Sequence, residues 1–124
     1  MPDSEILGNI IESAREVYKQ LGNGFQEEIY QRALSIELNL RGIDHIREQD
    51  MPLKYKGHHI GNRRVDFFVG GEVMVEIKSV LTMEKEHLLQ ARNYVNAYGL
   101  QEGLLINFGA EEFELEKIVA QPKQ

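Results

Sequence analysis

Apolar residues recur at three- and four-residue steps through Leu7, Ile10, Ile11, Ala14, Val17, Tyr18 and Leu21, a spacing that predicts a helix with one buried face. Ser4 offers an N-terminal cap, and Gly22 and Gly24 end the run. A second helix is predicted over residues 25–41, with Tyr30, Ala33, Leu34 and Leu38 on one face and Gly42 as a left-handed stop. Beyond Ile43 the pattern changes to short extended runs at 44–50, 51–56, 59–69 and 72–78, punctuated by Pro52, Gly57, Gly61 and Gly70-Gly71. Val65, Phe67, Phe68 and Val69, then Val73, Met74, Val75 and Ile77, are nearly unbroken apolar runs, as in central strands covered on both faces. A third helix over 83–98 places Leu88, Ala91, Val95 and Tyr98 on a stripe and stops at Gly99. Residues 103–108 then read as a short buried strand, and 113–119 as a last strand alternating Phe113, Leu115 and Lys117. No internal repeat or linker interrupts the order, so residues 1–124 are expected to form a single α/β domain.

Several charged residues sit badly with this packing. Glu76 and Lys78 are two apart on a predicted strand, so both point to one face while Ile77 points to the other. Asp66 lies on the preceding strand of the same hairpin, and the loop decides whether it shares that face. A strict two-residue Gly70-Gly71 turn would pair Asp66 with Val75 and send it away from Glu76. A three-residue loop, Val69-Gly70-Gly71, would pair Phe68 with Glu72 and Asp66 with Met74, bringing Asp66, Glu76 and Lys78 together. That odd-length loop, or an equivalent bulge, is expected, with Gly71 left-handed. Glu27, three residues before Tyr30, projects from the first turn of the second helix on the face that packs on the core, where a carboxylate needs a partner.

Two carboxylates and an ammonium on a buried face would be costly as packing alone. A divalent ion resolves the cost. Magnesium accepts oxygen ligands, keeps several waters and uses one or two protein carboxylates; Asp66 and Glu76 fit, and the carbonyl of Ile77 adds a further oxygen. Lys78 would then orient the attacking water and stabilise charge on a phosphate. A buried ion pair without metal is the alternative for the same three residues.

Composition narrows the chemistry. The 124 residues are long enough to bury one core unaided, and with 42% hydrophobic and 27% charged residues the balance is that of a globular protein. The absence of cysteine excludes disulfides, zinc ribbons, thiol nucleophiles and iron–sulfur clusters, and so favours hard cations. A net charge of −6 argues mildly against non-specific coating of nucleic acid. The N-terminus lacks a basic region followed by an apolar stretch, and no segment approaches the length of a membrane span; a cytoplasmic location is expected.

Asp66, nine intervening residues and then Glu76-Ile77-Lys78 resembles the signature of the PD-(D/E)XK nuclease superfamily, and more narrowly of the GxxExxY proteins, whose motif is matched by Gly24-Phe25-Gln26-Glu27-Glu28-Ile29-Tyr30. Further matches are Arg64-Val65-Asp66, Val75-Glu76-Ile77-Lys78, His87 with Gln90 and Tyr94, and the run from Gly103 to Gly109. The resemblance implies a restriction-endonuclease-like fold, a central mixed sheet flanked by helices in the order α-α-β-β-β-α-β, with a metal site at the hairpin. It implies further that Asp66, Glu76 and Glu27 bind Mg2+ or Mn2+, that Lys78 is catalytic, and that Gln90 with Tyr94 supports the site as in RecB-like nucleases. Val65 stands where the superfamily signature has its proline.

The function expected is divalent-metal-dependent hydrolysis of phosphodiester bonds in DNA or RNA. A site this small would favour a partner subunit, as in a homodimer, or a partner protein to grip a polymer. The rival is a catalytically silent domain that keeps the scaffold to bind protein or nucleic acid. Lys54, Lys56, Arg63 and Arg64 concentrate positive charge on the strands leading to Asp66, where they either meet a nucleic-acid backbone or solvate a sheet edge. His58 and His59 read as exposed turn residues, and His87 as packing at the start of the third helix. Gly22-Asn23-Gly24 lacks the preceding strand of a phosphate-binding loop and reads as an interhelical turn.

Overall fold

The computed structural model describes residues 5–121. Helix α1 (Glu5–Leu21) buries Leu7, Ile10, Ala14 and Val17, the stripe its spacing predicts; the cap expected at Ser4 lies outside the described residues. Helix α2 (Glu27–Leu40) buries Tyr30, Leu34 and Leu38. Its end is closed by Gly42 at φ 70°, which lets the Ile43 N–H donate back to the Leu38 carbonyl at 2.9 Å.

Five strands follow: β1 (His45–Tyr55), β2 (His58–Val69), β3 (Val73–Lys78), then helix α3 (Lys85–Ala97), β4 (Glu102–Asn107) and β5 (Glu114–Val119). They form one sheet in the order β1-β2-β3-β4-β5, so β5 extends the order expected from the resemblance. All neighbours are antiparallel except β3 and β4, which are parallel and joined by the α3 crossover. The sheet is therefore mixed. Helices α1 and α2 cover one face, over Phe67, Val75, Ile77 and Ile106; α3 covers the other, over Val65, Met74 and Leu105.

The runs at 44–50 and 51–56 are one strand, not two. Pro52 does not break β1 because β1 is the sheet's edge, where a residue without an N–H costs no ladder bond on the open side. The turn into β2 has Lys56 at φ 48° and Gly57 at φ 81°, the paired left-handed residues of a tight hairpin. His58 and His59 open β2 and are exposed.

The β2–β3 loop has the expected odd length, displaced by one residue. Val69 pairs with Val73 and Phe68 with Met74, leaving Gly70, Gly71 and Glu72 as the loop, with Gly70 at φ 61° and Gly71 at φ 72°. The register thus differs by two from the pairing of Asp66 with Met74. On a regular strand a shift of two preserves the face, and the ladder continued by one step would set Asp66 opposite Glu76.

Past Phe67 and Val75 the β2–β3 ladder stops. On a regular strand residues two apart share a face, yet Phe67 and Val69 pack under α1 and α2 while Val65 packs under α3. The β1–β2 ribbon turns over between residues 65 and 67. Glu48, opposite Asp66 in register, takes φ 56° at that point. Asp66 sits where the ribbon turns and the sheet parts.

The C-terminal end of β3 is held by Asn107, a fully buried polar residue. Val80 N–H donates to its Oδ1 at 3.0 Å, its Nδ2 donates to the Val80 carbonyl at 2.8 Å, and Gly109 N–H donates to the same Oδ1 at 3.0 Å. Asn107→Ala strands these buried groups, and the unfolding free energy in urea should fall by about 2–4 kcal/mol. A loss under about 1 kcal/mol would show that the clamp carries no weight.

Candidate active site

The site begins at the parting of β2 and β3. With no ladder bond available, the Ile77 N–H donates to Asp66 Oδ2 at 2.7 Å, so the carboxylate takes the place of a strand carbonyl. Gln31 Nε2 donates to the other oxygen, Oδ1, at 2.8 Å. Asp66 is thereby held at both oxygens, one from β3 and one from α2. In an extended strand the N–H and C=O of one residue project to the same edge, so the carbonyl of Ile77 also faces this gap.

Glu76 is 5% exposed and shares the α3 side of β3 with Met74. Its Oε1 accepts from Arg63 Nε at 3.2 Å, and the Arg63 guanidinium lies 4.8 Å from the centre of the Tyr94 ring on α3. Burial pushes the Glu76 carboxyl up to about 7; Arg63 opposes the rise and the neighbouring Asp66 adds to it. Two neighbouring carboxyls, one of them buried, resist sharing two negative charges.

Lys78 is half-buried, two residues on and on the same face as Glu76. The chain around it is pinned twice. Its carbonyl accepts the Phe108 N–H at 2.9 Å, and the next residue, Ser79, donates its hydroxyl to the Phe25 carbonyl just ahead of α2. The motif Gly24-x-x-Glu27-x-x-Tyr30 shapes that approach: Gly24 takes φ 110°, Tyr30 stacks on Phe108 at 4.6 Å between centres, and the Tyr30 hydroxyl donates to the Gly22 carbonyl and accepts the Phe25 N–H. Its tyrosine is thus a pin in the core.

The expected residues divide. Asp66 and Glu76 come together, with Lys78 beside them on the Glu76 face and Ile77 bridging through its backbone. Glu27 stands exposed at the first residue of α2, one turn before Gln31; Gln90 is exposed on α3, one turn before Tyr94, and lines a cavity of about 430 Å³ between α3 and Leu53. Among the described residues neither side chain makes a hydrogen bond or ion pair, and no three His, Cys, Asp or Glu side chains gather closely enough to hold a metal by themselves. The donor set is two carboxylates and a carbonyl. That suits a hard cation that keeps most of its waters, and it does not suit zinc in a closed structural site. His87 accepts the Glu84 N–H on Nδ1 at 3.1 Å and so caps α3.

Two residues of the site escape a reading of the sequence as motifs. Gln31 is polar and buried, and its signal is position: four residues after Glu27, it lies on the same helical face. Arg63 stands in sequence among the cations that either meet a nucleic-acid backbone or solvate a sheet edge, but the ribbon's turn aims it at Glu76, while Arg64 pairs with Asp50 at 3.1 Å and Glu48 at 4.0 Å.

The Glu76 shift makes stability depend on pH. Its carboxyl binds a proton more tightly in the folded chain than in the unfolded one, so its contribution is complete below the ordinary glutamate range and is lost as pH rises through about 7. In urea unfolding between pH 5 and pH 8, Glu76→Gln should gain on the wild type as pH rises, by up to about 3 kcal/mol. A wild-type-minus-variant difference that is flat across that range would refute the assignment.

Comparison with known proteins agrees with this architecture. No curated protein matches the sequence. Among solved structures, the crystal structure of SSO0001 superposes with a TM-score of 0.60 at 16% identity, over 78% of this chain and 52% of that one, a likeness of fold. The chain spans about half the length of SSO0001. Across residues 4–118 the sequence matches the PD-(D/E)XK nuclease superfamily. With its mixed sheet, its flanking helices and its parted hairpin, the chain belongs to the PD-(D/E)XK nuclease superfamily.

Proposed function

We propose that this chain is a magnesium- or manganese-dependent phosphodiesterase that cleaves DNA or RNA at the pocket between Asp66 and Glu76. The observation that carries the reading is the meeting of two carboxylates, one of them 5% exposed, at the point where the sheet parts. A bound Mg2+ or Mn2+ would supply Lewis acidity towards a phosphoryl oxygen and acidify a coordinated water.

The chain's own residues do the rest. Asp66 and Glu76, with the Ile77 carbonyl, would hold the ion, and Gln31 fixes the orientation of Asp66. Lys78 orients the attacking water in line with the leaving oxygen and meets charge developing on the phosphate. Arg63 fixes the orientation of the Glu76 carboxylate. Glu27 and Gln90, at the rim, act through water or substrate, and Tyr94 reaches Glu76 through Arg63. The narrower likeness to GxxExxY proteins, a single catalytic domain over residues 1–124, a cytoplasmic setting, and a homodimer or protein partner that steadies a polymer all belong to this reading. Among the described residues no helix is long and apolar enough to cross a membrane.

One observation favours a second reading. Arg63 already neutralises Glu76, as a catalytically silent domain kept for binding would require. Metal response separates the two. In the enzyme, millimolar Mn2+ or Mg2+ at about a hundredfold over Kd stabilises the fold by about 3 kcal/mol, a rise of several degrees in Tm. Asp66→Ala or Glu76→Ala removes that rise, and Gln31→Ala weakens metal affinity by about 10–100-fold. A silent domain shows no rise at all. Cleavage of single-stranded, duplex and structured substrates should require the divalent ion and disappear in Lys78→Ala; activity unchanged in that variant would rule out the mechanism.

A further inference from the structure

The β1–β2 ribbon does not end at the sheet. The β2–β3 ladder stops at Phe67, whereas β1 and β2 stay paired out to Tyr55 opposite His58. The outer ribbon is therefore a two-stranded arm, and His58 lies roughly 16 Å along β2 from Arg63 at its base. Its charge is unlike the rest of the chain. Residues 51–65 contain Lys54, Lys56, Arg63 and Arg64 and not one Asp or Glu, in a protein of net charge −6.

The four cations are used differently. At the base Arg63 pairs with Glu76 and Arg64 with Asp50. At the tip Lys54 and Lys56 are exposed and make no ion pair among the described residues, beside exposed His58 and His59. Between the two lysines stands Tyr55, 61% exposed, with Lys56 Nζ 5.5 Å from its ring centre. An aromatic ring 61% exposed at a tight turn, flanked by two ammonium groups that meet no carboxylate among the described residues, contributes nothing to the core.

We infer that the β1–β2 arm grips single-stranded nucleic acid, with Lys54 and Lys56 on phosphates and Tyr55 stacked on a base, and leads that strand along the ribbon to Glu76. The cations match a phosphate backbone, which binds through release of counterions. The ring selects the strand state. Bases inside a duplex have both faces covered by their neighbours, so only an unpaired or terminal base can stack on Tyr55. Leu53, two residues from Tyr55, lies against the cavity beside Gln90 and Tyr94, and Arg63 continues to the carboxylates, so tip and site are joined along one ribbon. The inference deepens the nuclease reading by naming its substrate class, but binding by the arm does not need the reaction.

The test is fluorescence anisotropy of labelled oligothymidylate and of a duplex of equal length, in EDTA and across a salt series, with a polyglutamate chain as competitor. The full chain should bind the single strand tighter than the duplex and ignore polyglutamate. Tyr55→Ala should weaken single-strand binding about five- to tenfold and leave the duplex unchanged. Lys54→Gln with Lys56→Gln should lower the slope of log affinity against log salt by about 1.4, two phosphate contacts' worth. Unchanged thermal melting of these surface variants verifies that the fold is intact. Equal or tighter duplex binding, displacement by polyglutamate, or variants indistinguishable from wild type would each overturn the inference. Arm-dependent binding without any cleavage in Mn2+ refutes the nuclease and upholds the arm. Cleavage with KM unmoved by the arm variants does the reverse.

Discussion

Two carboxylates brought face to face inside a protein impose conditions on everything around them. Asp66 and Glu76 meet where β2 and β3 separate, and neither charge can stay there without donors aimed at it. Gln31, the Ile77 N–H and Arg63 supply them from three elements. The parting of the sheet, the left-handed Glu48 and the turn of the ribbon all serve one result: a carboxylate replaces a backbone carbonyl at the gap.

The surroundings are rigid in a way that suits chemistry. Lys78 lies in a strand whose exit is clamped by Asn107 and tied by Ser79 to the start of α2. Tyr30 pins that start from within, by its stack on Phe108 and its bond to the 22–25 turn. Gly109 passes so near Ser79 and Val80 that a Cβ at residue 109 would meet the Val80 nitrogen at 2.3 Å. The strand segment that carries Lys78 is thus fixed by contacts made to its backbone and to the residues that follow it.

Much of this was legible in the residues, and the reasons are specific. The helical stripes of α1, α2 and α3 follow from three- and four-residue spacing, and β3 and β4 from unbroken apolar runs. Parity carries only part of the meeting of Asp66 and Glu76: an odd loop sets the register as far as Phe67 opposite Val75, and beyond it the ladder stops and the Asp66 carboxylate turns into the gap, between Gln31 of α2 and the Ile77 N–H. Pro52 misled because its meaning depends on whether a strand lies at an edge, and edges are set by the whole sheet. Arg63 was obscured because a regular ribbon would aim it elsewhere, and only the reversal at Glu48 turns it inward. Glu27 and Gln90 carry motif positions but stand exposed on α2 and α3, and spacing alone gives no distance from them to Asp66 and Glu76.

The arm has one more property, which concerns other copies of the molecule. Between His58 and Arg64 the side of β2 away from β1 pairs with no strand among the described residues, so a row of amide and carbonyl groups lies open. Such a row is a template for a neighbouring chain, and proteins commonly blunt it with charge and with a kink. Here the slip in register past Leu53, which leaves Ile60 unpaired, supplies the kink, and Lys54 and Lys56 supply repulsion between like arms. The cations that draw in a polyanion therefore also keep the protein from adding to itself, and evolution cannot trim them for one purpose without weakening colloidal stability.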